Sequence, residues 1–161
     1  MAVKPVPEGF NTVSVYLVVK NAGEALDFYQ KAFGAEAGFR MAGPDGESTM
    51  HAEMRIGNST VMLTDENPQW EMKSPLTLGG NPASPHIYVD DADKLFNRAL
   101  EAGCQAKMPM MDAFWGDRFG KVVDPFGHEW GIATHKEDVP EEEMGKRAAE
   151  FFANMGKDCQ S

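Results

Sequence analysis

Apolar and polar positions change period along this chain, and the changes occur twice in the same order. Val13 to Val19 alternates around β-branched residues, which predicts a strand. Asn21 then opens a stretch in which Ala25, Leu26, Phe28, Tyr29, Ala32 and Phe33 recur at helical spacing, and Gly34 stops it. Three short strands are expected next, at 37–41, 49–56 and 60–64, separated by turns at Pro44-Asp45-Gly46 and Gly57-Asn58. The second half starts again with a strand at His86-Ile87-Tyr88-Val89. Asp90 or Asp91 caps a helix carrying Leu95, Phe96, Ala99 and Leu100, and Gly103 ends it. Strands follow at 105–109, 119–123 and 129–134. Leu26 and Leu95 stand 69 residues apart, and so do Gly34 and Gly103.

The pattern therefore predicts an α+β fold built from two tandem βαβββ units. Each unit has one amphipathic helix to cover one face of one four-stranded sheet. Two such units side by side form a single curved-sheet open barrel with a concave groove. We expect one domain over 1–161, with unit one at 12–66, a Pro- and Gly-rich loop at 67–85 and unit two at 86–135. A C-terminal helix is expected at 138–156. Its apolar stripe of Met144, Ala148, Phe151, Phe152 and Met155 calls for burial, Asp138 to Glu141 offers a capping box, and Gly156 ends it.

Charge narrows the partners. Fifteen Lys and Arg against 25 Asp and Glu give −10, which leaves no electrostatic footprint for nucleic acid or anionic lipid. The first ten residues hold no apolar run of signal-peptide length, and Val15 to Val19 is far too short for a membrane span. A cytoplasmic location is expected. Two cysteines 55 residues apart make no disulfide framework. Cys104 reads as a small core residue and Cys159 as part of a frayed tail.

Strand alternation selects the groove side. It places Tyr16 from the first strand, His51, Glu53 and Arg55 from the third, His86 and Tyr88 from the fifth, and Glu129 from the eighth on that side. Two histidines and two carboxylates (His51, Glu53, His86, Glu129) are a chemically sensible donor set for a divalent metal, and Glu129 or Glu53 could also act as a base. The same residues also read as a cross-strand ion-pair network on a wet sheet face. Met108, Met110 and Met111 precede Phe114 and Trp115. They fill gaps in the core or form an apolar lip, with Trp115 and Trp70 as stacking walls. Asp117-Arg118 reads as an ion pair that fixes the turn, or Arg118 holds an anionic ligand group. His128-Glu129 opens like HExxH, but position 132 is Ile.

The βαβββ–βαβββ order resembles the vicinal oxygen chelate superfamily. Local strings are similar to its PhnB-like branch: Leu26-Asp27-Phe28-Tyr29, Ala32-Phe33-Gly34-Ala35, His51-Ala52-Glu53-Met54-Arg55-Ile56-Gly57, Trp115-Gly116-Asp117-Arg118 and Asp124-Pro125-Phe126-Gly127-His128. The resemblance implies a small-molecule protein of glyoxalase, bleomycin-resistance or dioxygenase type, and a homodimer. It also implies one divalent metal (Zn, Mn, Fe or Ni) serving a lyase, isomerase or dioxygenase that acts on vicinal oxygens. The alternative it allows is a metal-free module that sequesters a small cationic aromatic compound, with Tyr16, Tyr88 and Trp115 stacking on it; Arg55 and Arg118 are further candidate ligand-binding residues. A third reading is an interaction protein with a vestigial groove. Matched residue by residue, the superfamily's metal positions fall on Ser14, Ser84, Gly131 and the vicinity of Met62, none of them a usual ligand.

Overall fold

The computed structural model describes residues 3–158 and contains the βαβββ order twice. Unit one comprises β1 (Val15–Val19), α1 (Ala22–Phe33), β2 (Glu36–Ala42), β3 (Thr49–Ile56) and β4 (Ser59–Asp65). The connecting segment holds a 3-10 turn at Pro68–Trp70 and a one-turn helix α2 (Pro75–Leu78), neither of which the Pro/Gly pattern predicts. Unit two comprises β5 (His86–Tyr88), α3 (Ala92–Ala102), β6 (Gln105–Asp112), β7 (Asp117–Val123) and β8 (Glu129–His135). A last helix, α4, runs over Glu141–Asp158.

Both helix starts follow from side-chain capping. The Asn21 side chain accepts from the Glu24 N–H, and the Asp91 side chain accepts from the Lys94 N–H. The two units repeat a second clamp. An Asp65 carboxylate oxygen accepts from the Ala22 N–H, and in unit two the Thr134 hydroxyl accepts from the Ala92 N–H. The last strand of each unit thus fixes the start of its helix. Gly34 ends α1 at φ 68°, the left-handed conformation that glycine adopts without a Cβ clash.

The sheets have the same order, β1-β4-β3-β2 and β5-β8-β7-β6, each with one parallel pair and two antiparallel pairs. They share no ladder, so the barrel is open. The helix-side rows (Leu17, Val19, Ala52, Met54, Val61 and Leu63 from sheet one; Ile87, Val122, Trp130 and Ile132 from sheet two) join α1 and α3 in one core. The helices pack on each other. Four polar contacts lock the units together: the Tyr29 hydroxyl donates to Asp124 across the seam, Arg98 on α3 donates to the carbonyls of Gln30 and Lys31 at the end of α1, and His128 Nε2 donates to the Val18 carbonyl. Cys104 is buried in this core. Burial first, and Asp124 second, push its thiol up to about 12, so it is a packing residue rather than a nucleophile.

Four expectations need correction. The first strand begins at Val15, and Val13 and Val15 are 85% and 37% exposed, because the apolar row outruns the helix that covers it. The stripe on α4 is only partly covered: Phe151 reaches Phe114, but Phe152 and Met155 stay 62% and 53% exposed. That helix also continues through Gly156, and the Asp138 side chain pairs with His135 instead of capping it. Cys159 lies outside the described residues. No helix among the described residues is long and apolar enough to cross a membrane.

Candidate functional site

Sheet two carries the more elaborate face. In register, His86 stands beside Gly131 and Lys121, and Tyr88 beside Ala133 and Phe119. The His86 imidazole lies parallel to the Phe119 ring at 5.5 Å and 4.7 Å from the Tyr88 ring. A Cβ on residue 131 would come 2.6 Å from His86 Nδ1, so glycine makes room for this imidazole. Neither ring nitrogen of His86 has a hydrogen-bond partner among the described residues. Burial lowers its pKa, the Asp117 charge opposes that and Lys121 adds to it, so the ring favours the neutral form.

One row along, buried Asp117 gathers three donors. Tyr88 Oη donates to Oδ2 at 3.1 Å, Trp115 Nε1 to the same oxygen at 2.9 Å, and His135 Nδ1 lies 2.8 Å from Oδ1. Trp115 meets Phe119 edge-on at 5.5 Å. A single carboxylate therefore fixes two aromatic walls and ties β8 to β7. Burial pushes the Asp117 carboxyl up, but the bonds from His135, Trp115 and Tyr88 outweigh it and hold it below the usual carboxylate range. Bonds to Asp117 and then Asp138 raise the pKa of His135.

A pH dependence follows, with a definite sign. A raised folded-state pKa means that the His135 contribution to stability is complete below the unfolded value of about 6.5 and is lost as pH rises through the folded value. The Asp117 contribution is present above the unfolded value of about 3.9 and is lost as pH falls through its depressed one. His86 has the opposite slope to His135, so the clean reading is residue-specific. In an NMR titration His135 should titrate above the ordinary histidine value, and Asp117→Asn should bring its midpoint down. An unmoved midpoint would refute the coupling.

On sheet one, the Tyr16 hydroxyl lies 3.4 Å from His51 Nδ1, and His51 Nε2 lies 3.2 Å from Glu53 Oε1. A carboxylate only accepts, so Nε2 donates to Glu53. Arg55 Nε donates to the Gly57 carbonyl and pins the β3–β4 turn. On sheet two, Glu129 pairs with Lys107 at 3.3 Å. Arg118 holds Asp93 with two bonds of 2.9 and 2.8 Å and lies 3.5 Å from Asp112. Asp117 and Arg118 therefore do not pair with each other, because adjacent strand residues point to opposite faces. Trp70 projects from the linker, largely exposed. That linker roofs a crevice of about 460 Å³ along β1, which Tyr16, Lys73, Asn81 and His128 line. His128 is buried there, bonded to Asn81 and to the Val18 carbonyl.

The four metal donors expected from the sequence fall into separate pairings, His51 with Glu53 and Glu129 with Lys107, while His86 stands alone. Among the described residues no three His, Cys, Asp or Glu side chains come together to hold an ion. Gly131 offers no ligand, and His86 fills the space a side chain there would take. These residues do not fit the metal centre that the resemblance implies. Asp117 and His135 are the groups that alternation missed.

This fold and its two open sheet faces define a class. The chain matches the family model of the Glyoxalase/Bleomycin resistance protein/Dioxygenase superfamily over residues 9–132 and belongs to that superfamily. An uncharacterized Mycobacterium tuberculosis protein, Rv0887c, is 44% identical over 135 residues, covering 82% of this chain and 79% of that one. The crystal structure of TioX from Micromonospora sp. ML1 superposes with a TM-score of 0.61 at 25% identity, covering 78% of this chain and 98% of that one. FosX from Listeria monocytogenes, solved with Mn(II) and sulfate, has the same fold at 17% identity and a TM-score of 0.58, covering 86% and 97%.

Proposed function

We propose that this chain is a metal-independent small-molecule binding member of the superfamily, and that its ligand is a planar aromatic cation held against the groove face of sheet two. The observation that carries this reading is the Asp117 hub, which orients Tyr88 and Trp115 as fixed aromatic walls. Oriented rings attract a cation through their faces, and a net charge of −10 steers one toward the protein. The donor geometry supports binding without a metal, since the carboxylates and His51 already have partners within the chain. Tyr16, with its hydroxyl on His51, would be the corresponding wall on sheet one.

We also propose a homodimer. Phe39, Met41 and Phe152 leave apolar surface exposed on β2 and α4 that a second copy would cover. Light scattering should then give twice the 17.7 kDa chain mass.

The test is thermal unfolding of the full chain with acriflavine, berberine and ethidium, with and without EDTA. A saturable rise in Tm that EDTA leaves unchanged, and that Trp115→Ala and Tyr88→Ala abolish, supports the proposal. Retention of about one Mn, Zn, Fe or Ni ion per chain after dialysis, lost in Glu129→Ala or His86→Ala, would overturn it. That result would favour a metal-dependent enzyme acting on vicinal oxygens.

A further inference from the structure

A second cavity lies at the seam between the units, along the edge strand β5, which lines it from both faces. It measures about 360 Å³, and its walls come from Phe33 and Val61 of unit one and Ile87, Leu95 and Trp130 of unit two. Four of these five side chains are buried core residues. A guest would add dispersion contacts with this apolar lining. An apolar cavity of about 150 Å³ is enough for benzene, so the volume here has room for one or two fused rings. Phe33 and Trp130 present tilted rings 4.8 Å apart, a geometry that complements a further ring.

The wall chemistry also selects against charge. Asn58 and Ser59, at the β3–β4 turn, supply one amide and one hydroxyl. The titratable groups on the lining are His86 and Tyr88. Burial lowers the His86 pKa and so disfavours its charged form. The Tyr88 phenol is held protonated by its bond to Asp117 and by burial. No ionised side chain lines the cavity to balance a charged guest.

We infer that this seam cavity binds a neutral, apolar ring compound of one or two fused rings, whose contacts bridge unit one and unit two. The site adjoins the cation-binding face proposed above, sharing Tyr88 with it, and selects the opposite ligand character.

The probe is p-xylene, added to the full-length protein. A saturable rise in Tm is expected, with shifts of the Ile87 and Leu95 methyl resonances and little change at Leu63, whose side chain does not line the cavity. Leu95→Phe, which fills part of the space, should remove the response, whereas Trp115→Ala should keep it. If Leu95→Phe does not fold, the wild-type methyl map decides alone. No saturable shift, an undiminished response in Leu95→Phe, or perturbations confined to Trp115 and Phe119 would each overturn the inference. The last result would place p-xylene in the groove.

Discussion

Replacing Asp124 by alanine should lower the free energy of unfolding by about 3–5 kcal/mol, the range for stranding buried hydrogen-bonding groups around a lost carboxylate. Asp124 is 4% exposed and accepts four bonds. One oxygen takes the Tyr29 hydroxyl at 2.7 Å and Trp130 Nε1 at 2.8 Å. The other takes the N–H groups of Phe126 and His128, both at 2.9 Å. Tyr29 and Trp130 are themselves buried, so neither donor can turn to water once the carboxylate is gone. Burial, and then Asp124, raise the Tyr29 pKa well above that of a free phenol, which keeps this hydroxyl a donor at neutral pH. Tyr29→Phe removes donor and demand together and leaves Asp124 three partners, so it should cost only about 1 kcal/mol, a typical single hydrogen bond. Asp124→Asn should fall between, because its amide N–H₂ must face donors on one side. Urea unfolding of the three variants gives the ranking. A cost below about 1 kcal/mol for Asp124→Ala would show that water replaces the carboxylate.

The position of Asp124 explains what it does for the fold. The carboxylate sits in the β7–β8 turn of unit two, whereas Tyr29 comes from α1 of unit one. Phe28 meets Phe126 and Phe33 meets Trp130 across the same seam. Losing the carboxylate therefore loosens the relation between the units as well as a turn. The seam cavity depends on that relation, whereas the Asp117 hub lies wholly within unit two.

Much of this organisation is legible in the residue pattern, and the exceptions have physical causes. Asn21, Gly34 and Gly103 mark helix ends because capping and left-handed turns are local chemistry. Trp130 and Ile132 reach the core as alternation requires, and His51 and Glu53 share a face for the same reason. Alternation says which face a side chain takes, but not where that face stands relative to the other sheet. That is why the pair on β3 and the pair on β5 and β8 do not converge on one ion. The Asp117 hub was within reach of the same rule. A strand starting at 117 rather than 119 puts Asp117 on the Phe119 side and Arg118 on the other. The salt link between Arg118 and Asp93 spans 25 residues, and no local pattern specifies it. The exposed end of α4 shows the limit of amphipathicity: a stripe states that a face is apolar, not that this chain covers it.

Gly116→Ala should cost about 3 kcal/mol or more, combining left-handed backbone strain of about 1–2 kcal/mol with an overpacking penalty of about 1–3 kcal/mol. Gly116 has φ 97°, and a Cβ there would lie 2.2 Å from the Glu137 carbonyl oxygen and 3.0 Å from Val139 Cγ2. The nearer obstacle is backbone, so no rotamer change relieves it. Nor can that backbone retreat freely, since the Gly116 carbonyl accepts from the N–H groups of both Lys136 and Glu137. Gly46→Ala is the matched control: its φ is 75°, but nothing lies within 4 Å of the added methyl, so only the strain should appear. The difference between the two variants in urea unfolding isolates the close approach of the turn to the chain leaving β8. Because Trp115 and Asp117 flank Gly116, the first variant should also shift Trp115 fluorescence and weaken binding of a planar cation, while the second leaves both unchanged. Equal costs for the two variants would mean that the β8–α4 segment moves aside, and the clasp that holds the aromatic walls would then be weaker than its hydrogen bonds imply.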